Sequence, residues 1–174
     1  MKKSFIAVLA MLAGTILVSC SSTQESSSPT TAIPEPVETL IGARFERTDG
    51  TTCDICVKVA NTPELRSKGL QGVRSFDGFD GMLFYSGSPS NDSFWMRDVL
   101  IPLDIHFFDM KGGPLSTFNA VPCPSGTDDD DCPRYKSVAA YGYALEVTPE
   151  TTKELRLTGA SLTDLLENCP LATK

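Results

Sequence analysis

The chain has 174 residues, 41% of them hydrophobic and 21% charged, so it can bury the core of one domain of ordinary size. Its 15 Lys and Arg are outnumbered by 22 Asp and Glu. The resulting net charge of -7 argues against binding a nucleic acid, whose phosphate backbone requires clustered basic side chains. The single histidine excludes zinc sites that need two imidazoles.

The N-terminal sequence has the pattern of an export signal. Lys2 and Lys3 precede an apolar run from Phe5 to Val18. A helix of that length spans roughly 21 Å, which is too short for the roughly 30 Å hydrocarbon core of a bilayer. The run ends in a Leu-Val-Ser-Cys sequence that resembles the bacterial lipobox, in which the cysteine receives a diacylglycerol. The resemblance implies a signal peptide over residues 1–19 and a lipid on Cys20. The mature protein is then anchored to the cell membrane or the outer membrane, facing outside the cytoplasm.

A region rich in Ser, Thr, Pro and Glu follows this lipidation site. Residues 20–40 offer too little apolar surface to fold, so they predict a disordered tether between the membrane and the domain. One domain is therefore expected over residues 41–174.

Short apolar or alternating segments, separated by Gly, Pro, Asn and Asp, predict β-strands along this domain. They are Ala43–Arg47, Ile55–Ala60, Met82–Tyr85, Phe94–Val99, Leu103–Phe108, Leu115–Val121 and Tyr143–Val147. The Lys111-Gly112-Gly113 sequence predicts a tight hairpin, because glycine adopts the positive φ that such turns need. Thr62-Pro63-Glu64 and Thr148-Pro149-Glu150 have the capping residue and first-turn proline of a short helix. The predicted fold class is mostly β, a β sandwich or barrel-like, with one or two short helices.

Several short motifs in this domain resemble one known family in their order and spacing. They are Val59-Ala60-Asn61-Thr62-Pro63-Glu64, Gly69-Leu70, Gly81-Met82-Leu83-Phe84, Phe94-Trp95-Met96-Arg97, Ile101-Pro102-Leu103-Asp104 and Leu145-Glu146-Val147. Over about residues 55–162 the chain is similar to the domain of unknown function 192 family of small secreted or lipid-anchored prokaryotic domains. The resemblance implies a compact β fold and no established reaction, so it assigns no catalytic residue. Asp98 stands where the family usually has Asn.

Five of the six cysteines lie in the predicted domain, where an oxidising compartment would favour disulfides. Their spacing and the family resemblance together imply a disulfide between Cys123 and Cys132. Cys53, Cys56 and Cys169 would then supply one more disulfide and one free thiol, in a pairing that the sequence leaves open. Two alternatives are a redox pair at Cys53 and Cys56 and a zinc site of four cysteines. We favour structural cysteines, with no metal and no cofactor.

Catalytic groups are sparse. His106 follows Asp104 by two residues on a predicted strand, so both side chains project from one face and are candidates for an acid and base pair. Asp104 and Glu146 are the candidate paired carboxylates of a glycoside hydrolase. The acidic run Asp128–Asp131 lacks the spacing of a helical calcium loop and is expected to be a solvated loop. No complete catalytic constellation is present in the sequence, so an enzyme is not the favoured interpretation.

These observations predict a cell-envelope lipoprotein whose β domain binds a small ligand, a glycan or an envelope protein, and not a nucleic acid. The candidate pocket residues are Arg74, Trp95, Asp104 and Glu146, with Trp95 either a stacking platform or part of the core. One alternative is a hydrolase acting on cell-wall or extracellular polymer. Another is an assembly or quality-control partner for envelope proteins, which would present an exposed apolar patch.

Overall fold

A computed structural model describes residues 38–124 and 126–169 of the chain. The predicted signal peptide, Cys20 and most of the predicted tether lie outside these ranges. Within them are nine strands and two helices: β1 Thr39–Glu46, β2 Thr52–Ala60, α1 Pro63–Lys68, β3 Gly81–Ser90, β4 Ser93–Trp95, β5 Leu103–Phe108, β6 Pro114–Ala120, β7 Arg134–Lys136, β8 Tyr141–Val147, α2 Pro149–Leu155 and β9 Ser161–Leu166. The predicted mostly β fold with short helices is confirmed. Neither of these two helices is long and apolar enough to cross a membrane.

The predicted strands all overlap observed ones, but their bounds differ in places. The Phe94–Val99 segment leaves the extended conformation after Trp95, where β4 ends. The first strand begins at Thr39, two residues before the predicted start of the domain at residue 41. The sequence pattern does not predict β7 and β9.

Seven of these strands form one mixed sheet in the order β6-β5-β8-β3-β2-β1-β9, and β4 pairs with β7 in a separate ribbon. β2 and β3 run parallel, while the other neighbouring strands of the described sheet run antiparallel. Parallel pairing requires a crossover connection, which contains α1. The sheet is open, with β6 and β9 at its edges, and does not close into a barrel.

The two helices begin as their sequences predict. The Thr62 side chain accepts a hydrogen bond from the Leu65 backbone N–H, and Pro63 occupies the first turn. Gly69 ends α1 with a φ of 48°, a conformation that glycine adopts at little steric cost. The Thr148 side chain caps α2 in the same way. Each cap satisfies a backbone N–H that has no partner inside the helix.

The turn between β5 and β6 forms the predicted hairpin and also contacts the far edge of the sheet. The Asp109 carboxylate accepts hydrogen bonds from the backbone N–H groups of Lys111 and Gly113 at 2.7 and 2.9 Å. Gly112 has a φ of 83°, and its carbonyl accepts a hydrogen bond from the Leu162 N–H at 2.9 Å. The sheet therefore curls far enough for this turn to reach β9.

Both faces of the central strands are buried, so every residue of β5 is buried. One face packs into a core that includes Met82, Phe84, Leu103 and Phe107, and the other into a core that includes Phe45, Val57, Leu145 and Leu157. Ile105 of β5 lies directly opposite Glu146 of β8. Directly opposite residues share a face and neighbours along a strand alternate, so Glu146 and Ile105 lie on one face, and Asp104 and His106 on the other.

Candidate functional site

A cavity of about 620 Å³ opens between α1, the end of β3, the segment that contains β4, and β8. Aromatic and apolar side chains form much of its wall, among them Leu70, Phe84, Phe94, Trp95 and Tyr141. Serine and charged side chains form most of the rest of the wall. Cavities that bind small organic molecules enclose roughly 300 to 1,000 Å³ and combine apolar side chains with polar groups that orient the ligand. The size of this cavity therefore suits a small organic molecule.

Glu146 contributes a carboxyl group to this cavity from the middle of the sheet. Only 4% of the residue is exposed, and Met82 and Ile105 are its neighbours on the adjacent strands. Burial raises the pKa of Glu146 from 4.5 to about 8, and no hydrogen bond or charge from a described residue offsets that effect. The group is therefore protonated at neutral pH and presents a hydrogen-bond donor to the cavity.

The sequence-predicted pocket residues divide into two that line this cavity and two that do not. Trp95 and Glu146 line it. Arg74 lies exposed in the loop between α1 and β3, away from the lining. Asp104 is buried on the opposite face of the sheet, where its carboxylate accepts a hydrogen bond from the Asn119 side chain. Arg74 and Asp104 therefore do not line this cavity, because the order of the strands and their register decide which side chains converge.

His106 and Asp104 share a face, as their spacing predicts, but neither contacts a cavity. The two ring nitrogens of His106 lie 3.0 Å from the Thr152 hydroxyl and 3.1 Å from the Thr117 hydroxyl. Burial lowers the pKa of His106 to about 4, although the charge of Asp104 opposes this shift. The imidazole is thus neutral at physiological pH and links β5 to β6 and α2.

Asp104 and Glu146 do not form a catalytic pair. They lie on opposite faces of the sheet, with the β5 and β8 backbones between them. The two carboxyl groups of a glycoside hydrolase instead flank one bond of the substrate in a shared cleft. This geometry removes the arrangement on which the hydrolase interpretation depends.

Trp95 is held at the rim of the cavity by two arginines. The guanidinium of Arg134 lies 3.8 Å from the centre of the indole, and that of Arg97 lies 5.5 Å from it. Arg97 in turn pairs with the carboxylate of Asp129, a member of the acidic run. The acidic loop therefore supports the cavity wall through this ion pair. Across the described residues no group of three or more metal-ligating side chains comes together.

The cysteines lie in two close pairs. Cys123 and Cys132 are at disulfide distance with their Cα atoms 5.6 Å apart, and Cys56 and Cys169 are likewise paired with Cα atoms 4.8 Å apart. Cys53 has no sulfur partner among the described residues, and burial raises the pKa of its thiol, the opposite of what a reactive thiolate requires. Cys56 is paired with Cys169 and not with Cys53, and Cys123 with Cys132, so the pairing differs from both the redox and the zinc alternatives.

Two lining residues that sequence reasoning missed are Arg66 and Tyr141. Nothing in the sequence distinguishes Arg66 from the other basic residues of α1. Strict alternation along β8 would place Tyr141 and Glu146 on opposite faces, yet both line the cavity. The register between β3 and β8 shifts between Tyr85 and Ser90, which breaks the alternation at this end of the sheet.

Residues 45–163 match the model of the DUF192 family, described as an uncharacterized ACR. The chain belongs to this family. A search of the curated proteins found none that matches. Two solved structures share the fold. A candidate transcription regulator from Sinorhizobium meliloti is 28% identical, with a TM-score of 0.64 over 74% of this chain and 95% of its own. A protein of unknown function from Novosphingobium aromaticivorans is 23% identical, with a TM-score of 0.63 over 75% of this chain and 89% of its own.

Asp98, where the DUF192 family usually has Asn, lies in the cavity wall. Its φ is 56°, in the left-handed region that Asn and Asp tolerate better than other residues with a side chain. Its carbonyl accepts a hydrogen bond from the Gly72 N–H at 2.8 Å, which ties the wall to the turn after α1. The left-handed backbone conformation at this position therefore explains why Asp or Asn stands there. No contact with a ligand is needed to explain that choice.

Proposed function

We propose that the protein is an exported lipoprotein whose β domain binds a small organic ligand in the cavity beside Glu146. One observation carries the proposal: a carboxyl group is buried beside an aromatic-lined cavity, without a hydrogen bond from the described residues. No fully buried side-chain oxygen among the described residues lacks a hydrogen-bond partner, so the Glu146 carboxyl reaches the cavity and not a closed interior. Buried groups with a shifted pKa concentrate at functional sites, and a ligand in the cavity can accept a hydrogen bond from this carboxyl.

Export is supported by the sequence and by the cysteines together. The lipobox-like segment ending at Cys20 implies lipidation, and disulfides persist in the oxidising compartments outside the cytoplasm. Two cysteine pairs at disulfide distance fit such a compartment. The lipid would hold the domain at the membrane surface, where its cavity meets extracytoplasmic solutes.

Binding is favoured over hydrolysis because the cavity contains one buried carboxyl and not a pair. Glu146 lines the cavity, while Asp104 and His106 are hydrogen-bonded on the other face of the sheet. The description of the Sinorhizobium meliloti protein as a candidate regulator suggests DNA binding. We do not extend it to this chain, whose net charge is -7.

Blocking the cavity tests the proposal. The full chain, purified from membranes in detergent, is screened against a mixed-charge library of small aromatic fragments by ligand-observed NMR. Ser67→Trp and Ser93→Trp place an indole in the cavity from two different walls, since both serines are exposed lining residues. Ser75→Trp adds the same side chain at an exposed position outside the lining.

We expect fragments that bind the wild-type protein and the Ser75→Trp protein to lose binding in both cavity variants. Thermal unfolding of each variant establishes that it is folded. Fragments that bind all four proteins equally, or a library without a single binder, would contradict the proposed function.

A further inference from the structure

The charged side chains that line the cavity are mostly paired with one another or with neighbours. They are Arg66, Lys68, Asp92, Arg97 and Asp98, in addition to Glu146. The Lys68 ammonium lies 3.4 Å from the carboxylate of Glu38, and Arg97 pairs with Asp98 at 3.5 Å and with Asp129. These pairs leave little net charge for a ligand at those positions.

Arg66 and Asp92 are the exceptions, since neither takes part in an ion pair among the described residues. Asp92 is exposed, so solvent screens its charge, and its carboxylate accepts a hydrogen bond from the Ser90 hydroxyl at 2.8 Å. The Nη1 of Arg66 donates hydrogen bonds to the backbone carbonyls of Asn61 at 3.1 Å and Tyr85 at 3.3 Å. Carbonyl oxygens orient the guanidinium but do not neutralise it. The half-buried side chain therefore keeps a full positive charge and further N–H donors in a fixed position, which suits a carboxylate or a phosphate.

Arg66 and Glu146 act at separate places in the cavity. The Nη1 of Arg66 contacts the carbonyl of Tyr85, which is three residues along β3 from Met82, the residue directly opposite Glu146. Three residues of a strand span roughly 10 Å, so the guanidinium and the Glu146 carboxyl lie in different parts of the cavity. The cavity thus has a guanidinium with free donors in one part and an uncharged donor at Glu146 in another, with aromatic side chains in the wall between α1 and β8.

We infer that the cavity selects small organic acids, whose acid group binds Arg66 while a neutral hydrogen-bond acceptor elsewhere in the ligand binds the Glu146 carboxyl. The inference rests on the proposed ligand-binding function and adds the charge of the ligand. A ligand cation is disfavoured because the half-buried Arg66 repels it, because solvent screens the charge of the exposed Asp92, and because the protonated Glu146 does not attract it. The aromatic wall favours an apolar body between the two polar groups.

Three probes of similar shape and different charge test this selectivity on the full chain. They are N-acetylphenylalanine, its neutral C-terminal amide, and the cationic amine in which an aminomethyl group replaces the carboxyl group of the acid. We expect the acid to bind at least about tenfold more tightly than the amide, since a charge-assisted pair with arginine is stronger than a neutral hydrogen bond. The amine is expected to bind most weakly. Dissociation constants are measured by NMR titration at pH 7.

Substitutions then assign the selectivity to Arg66. Arg66→Gln is expected to reduce the ratio of acid to amide affinity to about one. Arg74→Gln removes an equal charge from an exposed loop outside the cavity and is expected to preserve the ratio. Affinity of the wild-type protein for the acid should fall as the pH is raised through about 8, because ionised Glu146 repels the ligand, and Glu146→Gln should remove that fall.

Equal affinity for acid and amide in the wild-type protein, or a ratio that survives Arg66→Gln, would overturn the inference while leaving ligand binding intact. Tighter binding of the amine would overturn it as well. If none of the three probes binds and the fragment library also yields no binder, both the inference and the proposed function fail.

Discussion

Replacing Glu146 with glutamine should change how the stability of the protein depends on pH. Burial raises the pKa of Glu146 from 4.5 to about 8. Below pH 4.5 both the folded and unfolded states hold the proton. Between the two pKa values the unfolded state loses the proton while the folded state keeps it, so the wild-type protein loses stability as the pH rises.

The magnitude follows from the size of this window. Each pH unit between the two pKa values costs about 1.36 kcal/mol, so the wild-type protein loses about 3 kcal/mol between pH 4.5 and pH 7 from this group. Glutamine does not ionise. The free energy of unfolding of Glu146→Gln, minus that of the wild-type protein, should therefore rise by about 3 kcal/mol over the same interval.

Urea denaturation followed by the fluorescence of Trp95, the only tryptophan, measures this difference at each pH. Contributions from other titrating groups are common to both proteins and cancel in the difference. Glu46→Gln makes the same substitution at an exposed position of β1, outside the core, and is the matched control. A difference for Glu146→Gln that is constant with pH would refute the assignment of a protonated, buried carboxyl.

Three further outcomes are expected. Because burial lowers the pKa of His106 from 6.5 to about 4, its protonation in the unfolded state should cost the wild-type protein about 3 kcal/mol of stability as the pH falls between those values. His106→Gln should lack this loss in urea denaturation, and an unchanged loss would contradict the buried neutral imidazole. Gly112→Ala should destabilise the protein by several kcal/mol, because its Cβ would overlap the Leu162 carbonyl, whereas Gly50→Ala, at a similar positive φ in open space, should cost only about 1–2 kcal/mol. Equal losses of unfolding free energy would show that the turn does not contact β9. Cys20→Ser should move the protein from the membrane fraction to the soluble fraction, and its continued retention in membranes would exclude the lipid anchor.

Local signals in the sequence predict the local elements well. β5 is bounded as predicted, because Pro102 and Asp109 flank a six-residue segment in which apolar residues alternate with Asp104 and His106 before ending in two phenylalanines. Thr62 predicts the start of α1 and Thr148 the start of α2, because an N-terminal cap depends only on residues three positions apart. β7 has three residues and is too short for a periodic pattern, so its pairing with β4 depends on tertiary contacts.

The candidate site depends on relations that no local pattern contains. Glu146 and Asp104 look equivalent in the sequence, as single acidic residues in apolar strands. Ile105 lies directly opposite Glu146 on the neighbouring strand, so Glu146 shares a face with Ile105, while Asp104 lies on the other face. Of the two acidic residues, Glu146 lines the cavity and Asp104 does not. Arg66 joins the site because the crossover between β2 and β3 places α1 at the cavity that β8, which is distant in sequence, also lines.

Direct observation of the Glu146 carboxyl tests the account most directly. The full chain is labelled with ¹³C at the glutamate side-chain carboxyls, the Glu146 signal is assigned from its absence in Glu146→Gln, and its chemical shift is followed against pH with and without N-acetylphenylalanine. We predict that this signal titrates near pH 8. The probe should shift the signal and raise the pKa of Glu146 further, because the ligand accepts a hydrogen bond from the protonated carboxyl and so stabilises that form. Titration near 4.5, or a signal that the probe leaves unchanged, would contradict a protonated Glu146 as the ligand-binding group of this cavity.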